Sequence, residues 1–160
     1  MAKRYWLMKT EPTTFSFEDL MKAPKRTTSW EGVRNYQARN LMRDEIKKGD
    51  SVLFYHSNTE IPSIVGIAEI VREAYPDPFA LDAKSPYYDE TLNKGRENPW
   101  VMVDLKAIAR FNTPISRDDL KAQKSLSEMM VLRKGSRLSV QPVLDSEFKI
   151  IHSMSDLTSL

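Results

Sequence analysis

This chain of 160 residues contains no cysteine, only two histidines and only five glycines. The missing cysteines exclude a disulfide framework, a thiolate nucleophile and a zinc knuckle. His56 and His152 have no partners at metal-ligand spacing, so no metal site is expected. Gly32, Gly49, Gly66, Gly95 and Gly135 lie too far apart to build a phosphate-binding or dinucleotide-binding loop, and no cofactor is expected. No serine has the glycine flanks of a nucleophile elbow. No apolar run is long enough to span a bilayer, and Tyr5-Trp6-Leu7-Met8 is too short for a signal-peptide core. A cytoplasmic protein with no membrane partner is the expectation.

What remains is ordinary globular composition, with 41% hydrophobic and 29% charged residues. The length fits a single domain over 1–160. The net charge of +2 hides a segregation along the chain. Residues 1–49 carry eleven Lys/Arg against six Asp/Glu, residues 50–105 four against ten, and residues 106–160 nine against six. Such segregation can give a nearly neutral protein a basic face that steers a polyanion.

Residues 4–9 read as a first strand and Ser16–Lys22 as a short helix that stops before Pro24. Lys25–Ser29 reads as a polar loop. Asn35 is placed to cap a helix running to about Lys48, with Gly49 just past its end. Ala38, Leu41, Met42 and Ile46 share one side of that helix, and Tyr36, Arg39, Arg43 and Lys47 another. Ser51–His56 is apolar on both alternations, as in a strand buried on both faces. Residues 64–71 and 100–108 are further strands, joined by a long connection from Tyr75 to Pro99. Ser116–Asp119 and Ser125–Glu128 resemble capping boxes. Ser136–Gln141 reads as a strand closed by Pro142, and Glu147–Met154 as a last helix. Strands mixed with short helices, without regular alternation, indicate an α+β fold around a curved sheet or small barrel.

One segment stands apart: Trp30-Glu31-Gly32-Val33-Arg34-Asn35-Tyr36-Gln37-Ala38-Arg39-Asn40. It joins flat aromatics, a glycine turn, side-chain amides and two arginines at the start of a helix. A core segment has little use for so many directional polar groups. A nucleobase needs stacking faces, amides to read its edge, and cations for its phosphate. His56-Ser57-Asn58, at the end of a doubly buried strand, forms a second polar cluster. Each has a plainer explanation: tryptophans are commonly packing anchors, strand ends commonly carry loop caps, and charged helix faces are commonly only solvated. Trp6 and Trp100, inside strand patterns, fit the anchor role.

Residues 5–12 (Tyr-Trp-Leu-Met-Lys-Thr-Glu-Pro), Trp30–Asn40, Phe54–Asn58 and Arg137–Val143 together resemble the motifs of the EVE domain. The resemblance runs from Tyr5 to about Met154, with Thr10 where serine is more usual. It implies a PUA-like fold, a β-barrel or curved mixed sheet with peripheral short helices, related to the YTH modified-RNA readers. It also implies a non-enzymatic pocket for a modified base, with modified cytosine in DNA foremost. That pocket would draw on Trp30, Val33, Asn35, Tyr36, His56, Ser57, Asn58, Ser139, Gln141 and Pro142, with Lys9 and Thr10 at its mouth. Arg34, Arg39, Arg43 and Lys47 are expected to meet phosphate, and the partner to be DNA or RNA carrying a modified base. Two rival readings stand: an enzyme on a nucleobase or nucleotide with His56 as general base, and a protein-interaction module using the acidic Tyr75–Glu97 segment.

Overall fold

The computed structural model describes residues 3–160. Seven strands form one mixed sheet: β1 (Tyr5–Thr10), β2 (Thr27–Ser29), β3 (Ser51–His56), β4 (Ser63–Pro76), β5 (Val101–Ser116), β6 (Val140–Val143) and β7 (Leu157–Ser159). Four short helices surround it: α1 (Phe17–Lys22), α2 (Tyr36–Asp44), α3 (Arg117–Lys121) and α4 (Asp145–Met154). The strand order is β2-β5-β4-β3-β1-β6, with β7 also on β5. Only β1 and β3 run parallel. The path is open rather than closed, and register shifts along β4 and β5 add the local twist that curves it. At Gly66, in one of these shifts, a Cβ would lie 2.4 Å from the Phe17 ring and 2.8 Å from the Ala109 carbonyl oxygen. Bulge and helix packing therefore both require glycine there.

β3 lies between β1 and β4 and is buried on both faces, as its unbroken apolar run dictates. Val52 and Phe54 face one core layer with Trp6, Met8, Trp30, Leu20 of α1 and Met42 of α2. Leu53 and Tyr55 face the other, with Leu7, Ile64, Leu120 of α3 and Ile151 of α4. Ser16 and Ser116 cap α1 and α3 through capping boxes, as their sequences require.

Several boundaries differ from expectation. α2 stops at Asp44 rather than Lys48 because the buried carboxylate of Asp50 competes for the chain. Asp50 accepts from the Trp6 indole N–H at 2.9 Å, the Arg4 N–H at 3.1 Å and the Lys47 N–H at 2.9 Å. A continued helix would have bonded Lys47 to Arg43 instead. Lys47 is consequently off the helix face that carries Arg39 and Arg43. Residues 25–29 are not all loop: a 3-10 turn over Pro24–Arg26 leads into β2, which adds an edge to β5. β4 and β5 outrun their expected ends because the end of each pairs with the beginning of the other, Tyr75 opposite Met102 and Ser116 opposite Ser63. Ser125–Glu128 opens no α-helix; a single 3-10 turn, Lys124–Leu126, forms without a side-chain cap. Pro142 lies within β6 rather than closing it. β6 is the edge strand beyond β1, where a missing N–H leaves no central ladder bond broken.

Candidate nucleic-acid interface

The Trp30–Asn40 segment begins where β2 ends. The Trp30 N–H bonds the Val103 carbonyl at 2.7 Å, and its indole meets the Phe54 ring edge-on at 5.5 Å. Only 8% of Trp30 is exposed, so it serves the core and a cavity wall at once. Gly32 turns the chain at φ +86°, and its N–H donates to Asp77 Oδ2 at 3.0 Å. A Cβ here would lie 2.5 Å from the Tyr87 ring. The backbone angle and the close aromatic approach both require glycine.

Arg34 locks this geometry. Its Nη1 pairs with Asp77 Oδ2 at 3.0 Å, while Nε and Nη2 donate to the Tyr87 carbonyl at 3.0 and 2.9 Å. The guanidinium also lies 5.8 Å from the Tyr87 ring centre and 5.4 Å from that of Trp100. Asp77 is fully buried and additionally caps the 3-10 turn over Pro78–Leu81. Arg34 is thus committed to the long connection after β4.

Between these elements lies a cavity of about 520 Å³, within the roughly 300–1,000 Å³ common for small-ligand sites. Lys9, Thr10, Glu11, Thr14 and Phe15 line one part of it. Thr28 to Arg34, with Tyr87 and Ser139, line the rest. Aromatic surface thus stands among hydroxyls, carboxylates and an ammonium, as a flat ligand with a polar edge requires. Lys9 is half-buried and donates from Nζ to the Ser136 carbonyl at 3.3 Å. Burial, reinforced by the Arg117 charge, lowers its ammonium pKa below the usual lysine value.

Of the residues named from sequence, Trp30, Val33, Arg34, Ser139, Lys9 and Thr10 meet at this cavity. The His56–Ser57–Asn58 cluster stands behind it. His56 Nε2 accepts from the Phe17 N–H at 3.1 Å, holding the start of α1. Burial lowers its pKa, opposed by nearby Asp19, and the accepting Nε2 belongs to a neutral imidazole. The Ser57 N–H bonds the Thr10 carbonyl at 2.9 Å, and Asn58 Nδ2 bonds Glu11 Oε1 at 3.1 Å. The Ser57 backbone and the Asn58 side chain thus hold the lining residues Thr10 and Glu11, and His56 holds Phe17, two residues past the lining Phe15. Gln141 acts similarly: buried, it donates from Nε2 to the Leu138 carbonyl at 2.8 Å and supports the segment leading to Ser139.

The remaining residues point elsewhere. Asn35 caps α2, its Oδ1 accepting from the Ala38 N–H at 3.0 Å, and borders a separate groove. Tyr36 is exposed, tilted against Trp100 at 4.8 Å and hydrogen-bonded to Arg96. Pro142 lines a groove on the outer edge of β6. Arg39 donates to the Pro99 carbonyl at 2.8 Å, and Arg43 pairs with Asp44 at 2.7 Å.

The model of the EVE domain matches residues 4–154. The chain belongs to the EVE domain family. Rat thymocyte nuclear protein 1 is 43% identical to it, over 95% of this chain and 74% of that protein. A structure of a hypothetical protein from Leishmania major is 48% identical, with a TM-score of 0.88, covering 96% of this chain and 94% of that one. The crystal structure of human THYN1 protein in complex with DNA containing 5-methylcytosine is 40% identical. Its TM-score is 0.86, and the match covers 95% of this chain and 97% of that one.

Two residues that complete the cavity of this EVE domain escaped sequence reasoning. Tyr87 forms a wall and Asp77 braces the Gly32–Arg34 turn, 53 and 43 positions from Arg34. Asp77-Pro78 carried a local signal, the aspartate before proline that starts a turn. Nothing local identifies Arg34 as its partner. Glu11 and Glu31 were also missed as lining carboxylates; Glu31 accepts from Ser29 Oγ at 2.8 Å.

Proposed function

We propose that this EVE domain is a non-enzymatic reader that takes a modified base of nucleic acid into the cavity beside Trp30, with modified cytosine in DNA as the leading ligand. The observation that carries this reading is the cavity itself: indole and phenol surfaces set among groups able to accept from and donate to a base edge. A base inside a duplex cannot reach such a recess, so it must be flipped out or already single-stranded. The human relative bound to 5-methylcytosine DNA supports the same ligand class.

In this reading no cofactor takes part, and the side chains bind and orient rather than transform. The Nε2 lone pair that a general base would need on His56 already accepts the Phe17 N–H. Trp30 and Tyr87 supply flat surface. Glu11 and Glu31 can accept from an exocyclic amine, and Lys9 can donate to a carbonyl oxygen. His56, Ser57, Asn58 and Gln141 hold these groups in place.

The test is a panel of oligonucleotides, DNA and RNA, identical except for one modified cytosine or adenine, run beside a turnover assay. Tighter binding of at least one modified strand, with the base recovered unchanged, is expected. Equal affinity across the panel, or conversion of the base, would refute the reading.

A further inference from the structure

Three cations on the turn before β6 lack carboxylate partners. Arg133, Lys134 and Arg137 are exposed, and among the described residues none of them forms an ion pair. With Asn35 and Gln37 they line a groove of about 400 Å³. Asn35, which lines the groove, uses Oδ1 for the Ala38 N–H, and its Nδ2 makes no hydrogen bond among the described residues. Arg34 and Arg43 are neutralised by Asp77 and Asp44, whereas Arg133 Nη2 meets the Glu128 carbonyl at 3.2 Å, as Arg39 meets that of Pro99 at 2.8 Å, and keeps its full charge.

The groove and the Trp30 cavity share a wall. Ser136 and Arg137 line the groove, Ser139 lines the cavity, and the Ser136 carbonyl receives the Lys9 ammonium from the cavity side. A base in the cavity remains joined to its sugar and phosphates, so the backbone must leave along a neighbouring surface. The cavity lining carries Lys9 and Arg34 against Glu11 and Glu31, with Arg34 already paired to Asp77, so it offers phosphate no surplus of positive charge. The unpaired cations across the shared wall offer that surplus.

We propose that this groove is the track for the phosphodiester backbone of the strand whose base enters the cavity. Arg133, Lys134 and Arg137 neutralise the phosphates, and the Asn35 and Gln37 amides donate to their oxygens. The inference rests on the reader function proposed above. Such contacts carry no information about the base, so they should set affinity and salt dependence without setting preference.

The experiment measures affinity against salt concentration for the wild-type chain and for a 5-methylcytosine oligonucleotide and its unmodified twin. It is repeated with Arg133→Ala/Lys134→Ala/Arg137→Ala, with the charge-keeping Arg133→Lys/Arg137→Lys, and with Arg39→Ala/Arg43→Ala. The triple variant should flatten the slope of log affinity against log salt by about 2 to 3, because each lost phosphate contact removes about 0.7–0.9. It should weaken both strands alike and leave their affinity ratio within about twofold. The lysine variant should keep most of the slope, which a merely structural role for the two arginines would not allow. An unchanged slope in the triple variant overturns the proposal and leaves the reader function standing. Flattening by Arg39→Ala/Arg43→Ala alone overturns it in favour of the α2 face. Absence of salt-dependent binding by the wild-type chain overturns the proposal and the reader function together.

Discussion

Gly32→Ala places two separable strains on one residue. The first is the backbone: Gly32 sits at φ +86°, where a side chain costs about 1–2 kcal/mol. The second is contact: the new Cβ would lie 2.5 to 2.7 Å from three atoms of the Tyr87 ring, so the ring must move. Tyr87 lines the cavity, and its carbonyl receives two N–H groups of Arg34. The variant should therefore lose stability beyond the backbone cost and lose affinity for a modified oligonucleotide. A thermodynamic cycle with Tyr87→Ala separates the two strains. In that background the Cβ has no ring to meet, so the cost of Gly32→Ala should shrink towards the backbone value. The coupling between the sites should fall within the roughly 0.5–3 kcal/mol seen for residues in contact. Denaturant unfolding of the four proteins supplies the numbers. Additive losses, or a neutral Gly32→Ala, would refute the geometry assigned to this turn.

Trp30→Ala should cost about 3–5 kcal/mol of stability, since it empties a site packed against Phe54. Trp30→Phe should fold and retain part of the stacking surface, losing at most about 1–3 kcal/mol of binding; a Trp30→Phe protein with full affinity would remove the indole from the site. His56 has a lowered pKa in the folded chain against 6.5 for the free group, so the unfolded chain takes the proton first. Its stabilisation is complete above 6.5 and is lost as pH falls below that value through the folded pKa. His56→Gln should remove this part of the pH dependence in thermal melts, and an unchanged profile would contradict the neutral, accepting imidazole. Asp77→Ala should cost about 3–5 kcal/mol by leaving Arg34 without its buried carboxylate; a thermal shift small enough to suit a surface charge would show that the brace is dispensable.

Local features of the fold could be read from sequence because their causes are local. The Ser116 box, the Asn35 cap and the doubly apolar β3 are each set within a few residues, although the equally local Ser125–Glu128 pattern formed no box. The end of α2 could not be read, because it depends on a buried carboxylate that gathers N–H groups from Arg4, Trp6 and Lys47. β2 is too short to carry a period and exists through pairing with β5. At the site, Trp30 and Gly32 stand out from their own segment. Arg34 looked like a phosphate cation because Asp77 and Tyr87 are distant in sequence. His56, Ser57, Asn58 and Gln141 looked like lining because polar side chains at strand ends carry no sign of whether they face a ligand or the chain. In the structure each of the four residues bonds a segment that borders the cavity, Ser57 through its backbone N–H.

The most direct test is an NMR experiment on the complex of this EVE domain with an oligonucleotide carrying a ¹³C-labelled methyl group on one 5-methylcytosine. Proton contacts from that methyl group to the Trp30 indole and the Tyr87 ring are expected, together with loss of its contacts to the neighbouring bases. A bound oligonucleotide whose methyl group keeps its contacts to neighbouring bases and makes none to Trp30 or Tyr87 would contradict the account.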